Sequence, residues 1–161
     1  MKKLIIIMTL AIFATVNTEA QEVYKEILRL SNAVAKDKQK DIATRKIATF
    51  KVDCLNYMAM KTHELMPDST TTVIDNQAYA LYDFVNLYVK KLSEAKTKKG
   101  KAQILSIFKS ASIQNRRFND MDLGIVEAYL NNDKYVTQFS LDTDWTKAIK
   151  QVRNELYKKG L

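Results

Sequence analysis

Only four of the 161 residues are glycine or proline: Pro67, Gly100, Gly124 and Gly160. Sheets reverse direction through tight turns built from Gly, Pro and Asn-Gly, so a chain this poor in them cannot supply the turns of an all-β domain. Long helices need few such residues. The scarcity therefore sets the fold class as all-α.

The apolar spacing agrees and divides the chain. Val23, Ile27, Leu30 and Val34 recur at the interval that lines one face of a helix. Ile47, Phe50, Cys54, Met58 and Leu65 mark a longer second helix, stopped by Pro67, whose ring removes a backbone donor. The loop PDSTTT (67–72) follows. Thr72 is the expected N-cap of a third helix, with Asp75 at N3 facing the positive helix end. Ile74, Ala78, Leu81, Val85, Tyr88 and Leu92 form its stripe, and Tyr79, Tyr82 and Val89 add a second apolar edge. That edge fits a central helix packed on two sides; left open, Tyr79 and Tyr82 would form an aromatic platform for stacking sugar rings.

Gly100, after Lys96, Lys98 and Lys99, is the expected stop of the third helix. Ile104, Leu105, Phe108 and Ala111 mark a fourth. Asn119 is the expected cap of a fifth, with Leu123, Val126, Tyr129 and Leu130 inward, ending at Asn131–Asp133. Trp145, Ala148, Ile149, Val152 and Leu156 carry the last helix to Gly160. Residues 134–139 (KYVTQF) are strand-like in content but too isolated to build a sheet. The spacings predict one domain, residues 21–161, folded as a bundle of five or six antiparallel helices. A short α-solenoid of helix pairs is the alternative, without a repeat of about 34 residues to support it.

The N-terminus has the three-part pattern of a cleaved secretory signal peptide over residues 1–20. Lys2 and Lys3 precede an apolar run, residues 4–13, and Thr18 and Ala20 place small side chains before a cut at Gln21. The run is too short to span a bilayer, which needs roughly 20 apolar residues. The expected location is periplasmic or extracellular. Cys54 is the single cysteine, so no internal disulfide forms, and stability must come from packing.

Familiar site chemistry is largely absent. One histidine and one cysteine exclude an ordinary zinc site. Cys54 and His63 are nine positions apart on one helix, which puts them on opposite faces at about 100° per residue. His63-Glu64 begins like a metalloprotease helix, but Pro67 stands where its second histidine belongs. Gly100-Lys101 lacks the earlier glycine and the following hydroxyl of a phosphate loop, these positions being Ala95 and Ala102. From Asp120, the segment 119–127 (NDMDLGIVE) fails the calcium-loop pattern, with Ile125 where glycine is required. No cofactor and no metal are expected.

FSLDTDW (139–145) sets two aspartates beside the chain's one tryptophan. Asp142 is the expected N-cap of the last helix, and Asp144 falls in its first turn. In the PDSTTT loop, Asp68-Ser69-Thr70 resembles the Asp-Ser/Thr-X acceptor of periplasmic O-glycosylation, which makes Ser69 a candidate modification site.

The formal charge of +8 is concentrated. Lys90, Lys91, Lys96, Lys98, Lys99, Lys101, Lys109, Arg116 and Arg117 face only Glu94 across residues 90–117. The expected function is binding by an exported helical protein, with an envelope protein or anionic polymer as partner. Export argues against nucleic acid, despite the basic patch. No enzymatic activity is expected. The competing classes are a small carboxylate-based hydrolase using Asp120, Asp122, Asp142 or Asp144, and a structural subunit of an envelope complex.

Overall fold

The computed structural model describes residues 23–120 and 139–161, which form five helices and no strand. They are α1 (Val23–Lys36), α2 (Ile42–Leu65), α3 (Thr71–Glu94), α4 (Lys98–Gln114) and α5 (Trp145–Lys158). The expected signal peptide, the helix expected after Asn119 and the stretch 134–138 lie outside the described residues.

Local chemistry fixes most helix ends. The Asp41 carboxylate accepts the Thr44 N–H at 2.9 Å and caps α2, which ends with Met66 as its C-cap, just before Pro67. The N-cap of α3 lies two residues earlier than Thr72, at Thr70, which makes no side-chain capping bond. Gly100 does not end α3. That helix closes at Ala95, and Gly100 sits in the first turn of α4, where its N–H donates to the capping Thr97 hydroxyl at 3.0 Å. Gly160 does terminate α5. Its φ of 64° is left-handed, and Leu161 N–H and Gly160 N–H donate back to the Leu156 and Tyr157 carbonyls.

Long-range bonds set the helix directions. In the first turn of α1, the Tyr24 N–H donates to Asp75 Oδ1 at 2.8 Å, so α1 and α3 begin at the same end. Asp75 thus serves α1 and not the start of its own helix. Arg45 Nε donates to the Ala35 carbonyl at 3.1 Å, joining the end of α1 to the start of α2. The Trp145 N–H donates to Gln77 Oε1 at 2.7 Å, and the Asp144 N–H to the Asn115 carbonyl at 2.7 Å. α5 therefore starts beside the start of α3 and the end of α4. The helices alternate up and down as an antiparallel bundle.

α3 is the central rod and touches each of the other four helices. The pair α1–α2 lies on one side of it and α4–α5 on the other. Phe84 sits between them, edge-on to Phe108 at 5.0 Å and to Phe139 and Trp145 at 5.2 Å. Phe50 of α2 reaches the same group, 5.8 Å from Phe139 and 6.0 Å from Trp145. Every apolar position expected of the last helix is buried, and so are Phe50, Cys54 and Met58 of the second. Leu65 is not: the last turn of α2 runs past the packed layer, leaving it 58% exposed. α1 is peripheral, with Tyr24, Ile27 and Leu28 only half-buried against the core.

Candidate functional site

The up-down order gives the bundle two chemically different ends. One end gathers the start of α1, the end of α2, the starts of α3 and α5, and the end of α4. Three aspartates named from sequence meet a dense polar network there, in a different arrangement from the one expected.

Asp142 does not cap α5. Its buried carboxylate turns back to the chain leaving α4, where Oδ1 accepts the N–H groups of Arg117 at 3.2 Å and Phe118 at 2.8 Å, and Oδ2 accepts that of Asp120 at 3.0 Å. The cap is Asp144, whose Oδ1 accepts from the Lys147 N–H at 3.2 Å, Gln77 Nε2 at 3.0 Å and the Thr146 hydroxyl at 2.6 Å. Burial alone would raise the Asp144 pKa, but the bonds from Thr146 and Gln77 and the Lys147 N–H outweigh it and hold it below the ordinary aspartate value. Asp120 Oδ2 takes the Tyr57 hydroxyl at 2.9 Å and the Lys61 ammonium at 3.2 Å. Burial, then that bond to Asp120, pushes the Tyr57 hydroxyl far above its usual range. Behind them Ser112 and Thr143 share a buried hydroxyl contact of 2.8 Å, and Ser112 also accepts the Ser140 N–H. Asp122 lies outside the described residues.

These carboxylates are engaged with the chain's own donors. Asp142 spends both oxygens on three backbone N–H groups that would otherwise be stranded as the chain leaves α4. Among the described residues, no three His, Cys, Asp or Glu side chains group in a way that could hold a metal ion.

The opposite end is basic. Lys90, Lys91, Lys96, Lys98, Lys99 and Lys101 lie on the last turns of α3, the connection to α4 and the first turn of α4, so the structure does bring them together. Lys91 and Lys90 pair with Glu94 at 3.0 and 4.0 Å; Lys96, Lys98, Lys99 and Lys101 are exposed. The other three basic residues are elsewhere. Lys109 is three turns along α4, and Arg116 and Arg117 lie beyond its far end, about 25 Å away by helix rise. Arg117 belongs to the aspartate network, 3.9 Å from Asp144 Oδ2 and with its guanidinium over the Phe118 ring. The basic stretch is therefore not one face.

The same end receives lysines that a linear reading does not connect with it. Exposed Lys36, Lys38 and Lys40 come from the α1–α2 connection, and exposed Lys158 and Lys159 from the end of α5. Their acidic neighbours are Asp37, Asp41, Glu94 and Glu155. Three separate segments thus make a lysine-rich pole. The only signal in the sequence was short Lys-rich runs at successive helix boundaries, which become one surface only in an up-down bundle.

Tyr79 and Tyr82 also differ in setting. Tyr79 is 57% exposed, while Tyr82 is half-buried with the Lys51 ammonium 5.0 Å from its ring centroid. Ser69 is partly exposed in the α2–α3 connection, where its N–H donates to the Met66 carbonyl at 2.9 Å. No helix among the described residues is long and apolar enough to cross a membrane.

Fold and surface together define an all-α antiparallel bundle with an aspartate-stapled end and a lysine-rich pole. The chain matches no family model, no curated protein and no solved structure.

Proposed function

We propose that this is an exported binding protein of the cell envelope that holds an anionic partner, a protein or a polymer, through its lysine-rich pole. The observation that supports this reading most is the convergence of exposed lysines from the α1–α2 connection, the α3–α4 connection and the end of α5 on one end of the bundle. Like charges gathered in excess of the acids among them repel one another and weaken the compact state, and an anionic partner relieves that repulsion. The hydrolase reading has less support, because Asp142 and Asp144 are engaged by backbone and side-chain donors of the bundle itself.

Retention on a heparin matrix and on an anionic-protein matrix tests this. The chain should bind at low ionic strength and elute as salt rises past the point where the screening length falls to about 10 Å. The triple variant Lys96→Glu, Lys98→Glu, Lys99→Glu should elute much earlier with an unchanged unfolding midpoint. Retention that ignores both salt and the triple variant rejects the proposal.

A further inference from the structure

The seam between α2 and α3 holds a group that packing alone does not explain. Lys51, in the middle of α2, carries its ammonium across the seam to the face of Tyr82. Desolvation by the surrounding side chains lowers its pKa, and no carboxylate among the described residues counters that influence. A lysine sunk this far is normally paired, because a desolvated ammonium without a counter-charge is unfavourable. The Tyr82 ring offsets only part of that cost. Tyr79 lies three residues earlier on α3 and so shares a face with Tyr82. Its ring is left largely open to solvent on the helix that touches all four others.

An open aromatic face beside a cation without a counter-charge is complementary to a ligand of particular chemistry. That ligand carries an apolar face and a carboxylate on one small rigid unit. A hexuronate residue does so: its pyranose ring presents C–H groups on one face, and its carboxylate is attached directly to that ring. A neutral sugar has only the first feature, and a phosphate or sulfate ion supplies negative charge without the apolar face. We propose that Lys51, Tyr79 and Tyr82 form a subsite for a uronate-bearing polysaccharide. The sugar ring stacks on Tyr79, the carboxylate pairs with the Lys51 ammonium, and Tyr82 holds that ammonium in place. The subsite lies on the flank of the bundle at mid-helix and requires none of the lysines at the pole.

Titration of the full chain with a tetramer of galacturonic acid, followed by calorimetry and by amide shifts, tests the proposal beside a neutral galactose tetramer and inorganic polyphosphate. The uronate tetramer should bind at 0.15 M salt and move the amides around residues 51, 79 and 82. Lys51→Met and Tyr79→Ala should each weaken it about tenfold, both variants keeping the wild-type unfolding midpoint. The pole variant Lys96→Glu, Lys98→Glu, Lys99→Glu should lose polyphosphate while holding the uronate tetramer within about twofold. Equal binding of the neutral tetramer, undiminished binding by Lys51→Met, or loss of uronate binding in the pole variant alone would each overturn the subsite. The last of these outcomes assigns the anion to the pole, so the two proposals fail separately.

Discussion

The side-chain amide of Gln77 on α3 accepts the backbone N–H of Trp145 at 2.7 Å and donates to the Asp144 carboxylate at 3.0 Å. One buried residue thereby completes the N-terminus of a helix 68 positions away in sequence. Helix starts leave N–H groups without intrahelical partners. At α5 the capping aspartate serves one of them and a distant glutamine another.

Gln77→Ala should therefore destabilise by about 3 kcal/mol, since it strands a buried N–H and removes a charge-assisted bond. Trp145 is fully buried and is the chain's one tryptophan, so its emission reports the transition directly. The urea midpoint should fall with an unchanged slope. A midpoint within error of wild type would show that the α3–α5 clamp contributes nothing.

Asp142→Asn keeps the shape but loses the charge and one acceptor oxygen facing three backbone N–H groups. A loss of about 2–3 kcal/mol is expected. Amide exchange at Phe118 and Asp120 should accelerate by more than the global change explains. Uniform acceleration across all helices would contradict a local clamp.

Asp144 carries a defined pH signature. Its folded pKa lies below the unfolded value, so the unfolded chain binds the extra proton as pH falls. Its contribution is complete above roughly pH 5 and disappears as pH drops through about 4 and lower. Subtracting the stability profile of Asp144→Asn from that of wild type should give a difference that is flat near neutrality and shrinks in that acidic window. A difference that grows on acidification would reverse the sign.

Cys54 is fully buried, and burial, reinforced by the Asp53 charge, raises its thiol pKa well above the ordinary value. At pH 8 a disulfide reagent should label it on the order of 10³ times more slowly than in denaturant, because reaction waits for opening. Comparable rates in the two conditions would place the thiol outside the core.

Gly160→Ala asks an L side chain to hold a φ of 64° at the end of α5, where space itself is open. The expected cost is about 1 kcal/mol, all of it backbone strain. Asn at the same position should recover part of the loss, because its short polar side chain tolerates the left-handed region.

Much of what depends on near neighbours in the chain was legible from residue order, though Gly100 proved to open α4 and not to end α3. Helix-forming character followed from the lack of Gly and Pro. The inward faces of α3 and α5 followed from spacing, and their burial confirms it from Ala78 to Tyr88 and from Trp145 to Leu156. Pro67 and Gly160 mark real ends because φ restriction and φ freedom are properties of single residues. Caps were less legible. Asp142, Thr143 and Asp144 all have oxygens suited to capping, and which one is used depends on where the chain arrives from residue 139.

Residue order is enough to make this chain form amphipathic helices with one aromatic-rich seam, since periodicity is a local pattern. Tertiary structure alone decided that Asp142 would hold the segment after α4, that Gln77 would cap α5, that Lys51 would face Tyr82, and that lysines from three segments would share a pole. The physical reason is that each of these depends on the direction in which a helix returns. That direction is set by the side chains that can be buried together, such as Phe50, Phe84, Phe139 and Trp145, and by no interval along the chain.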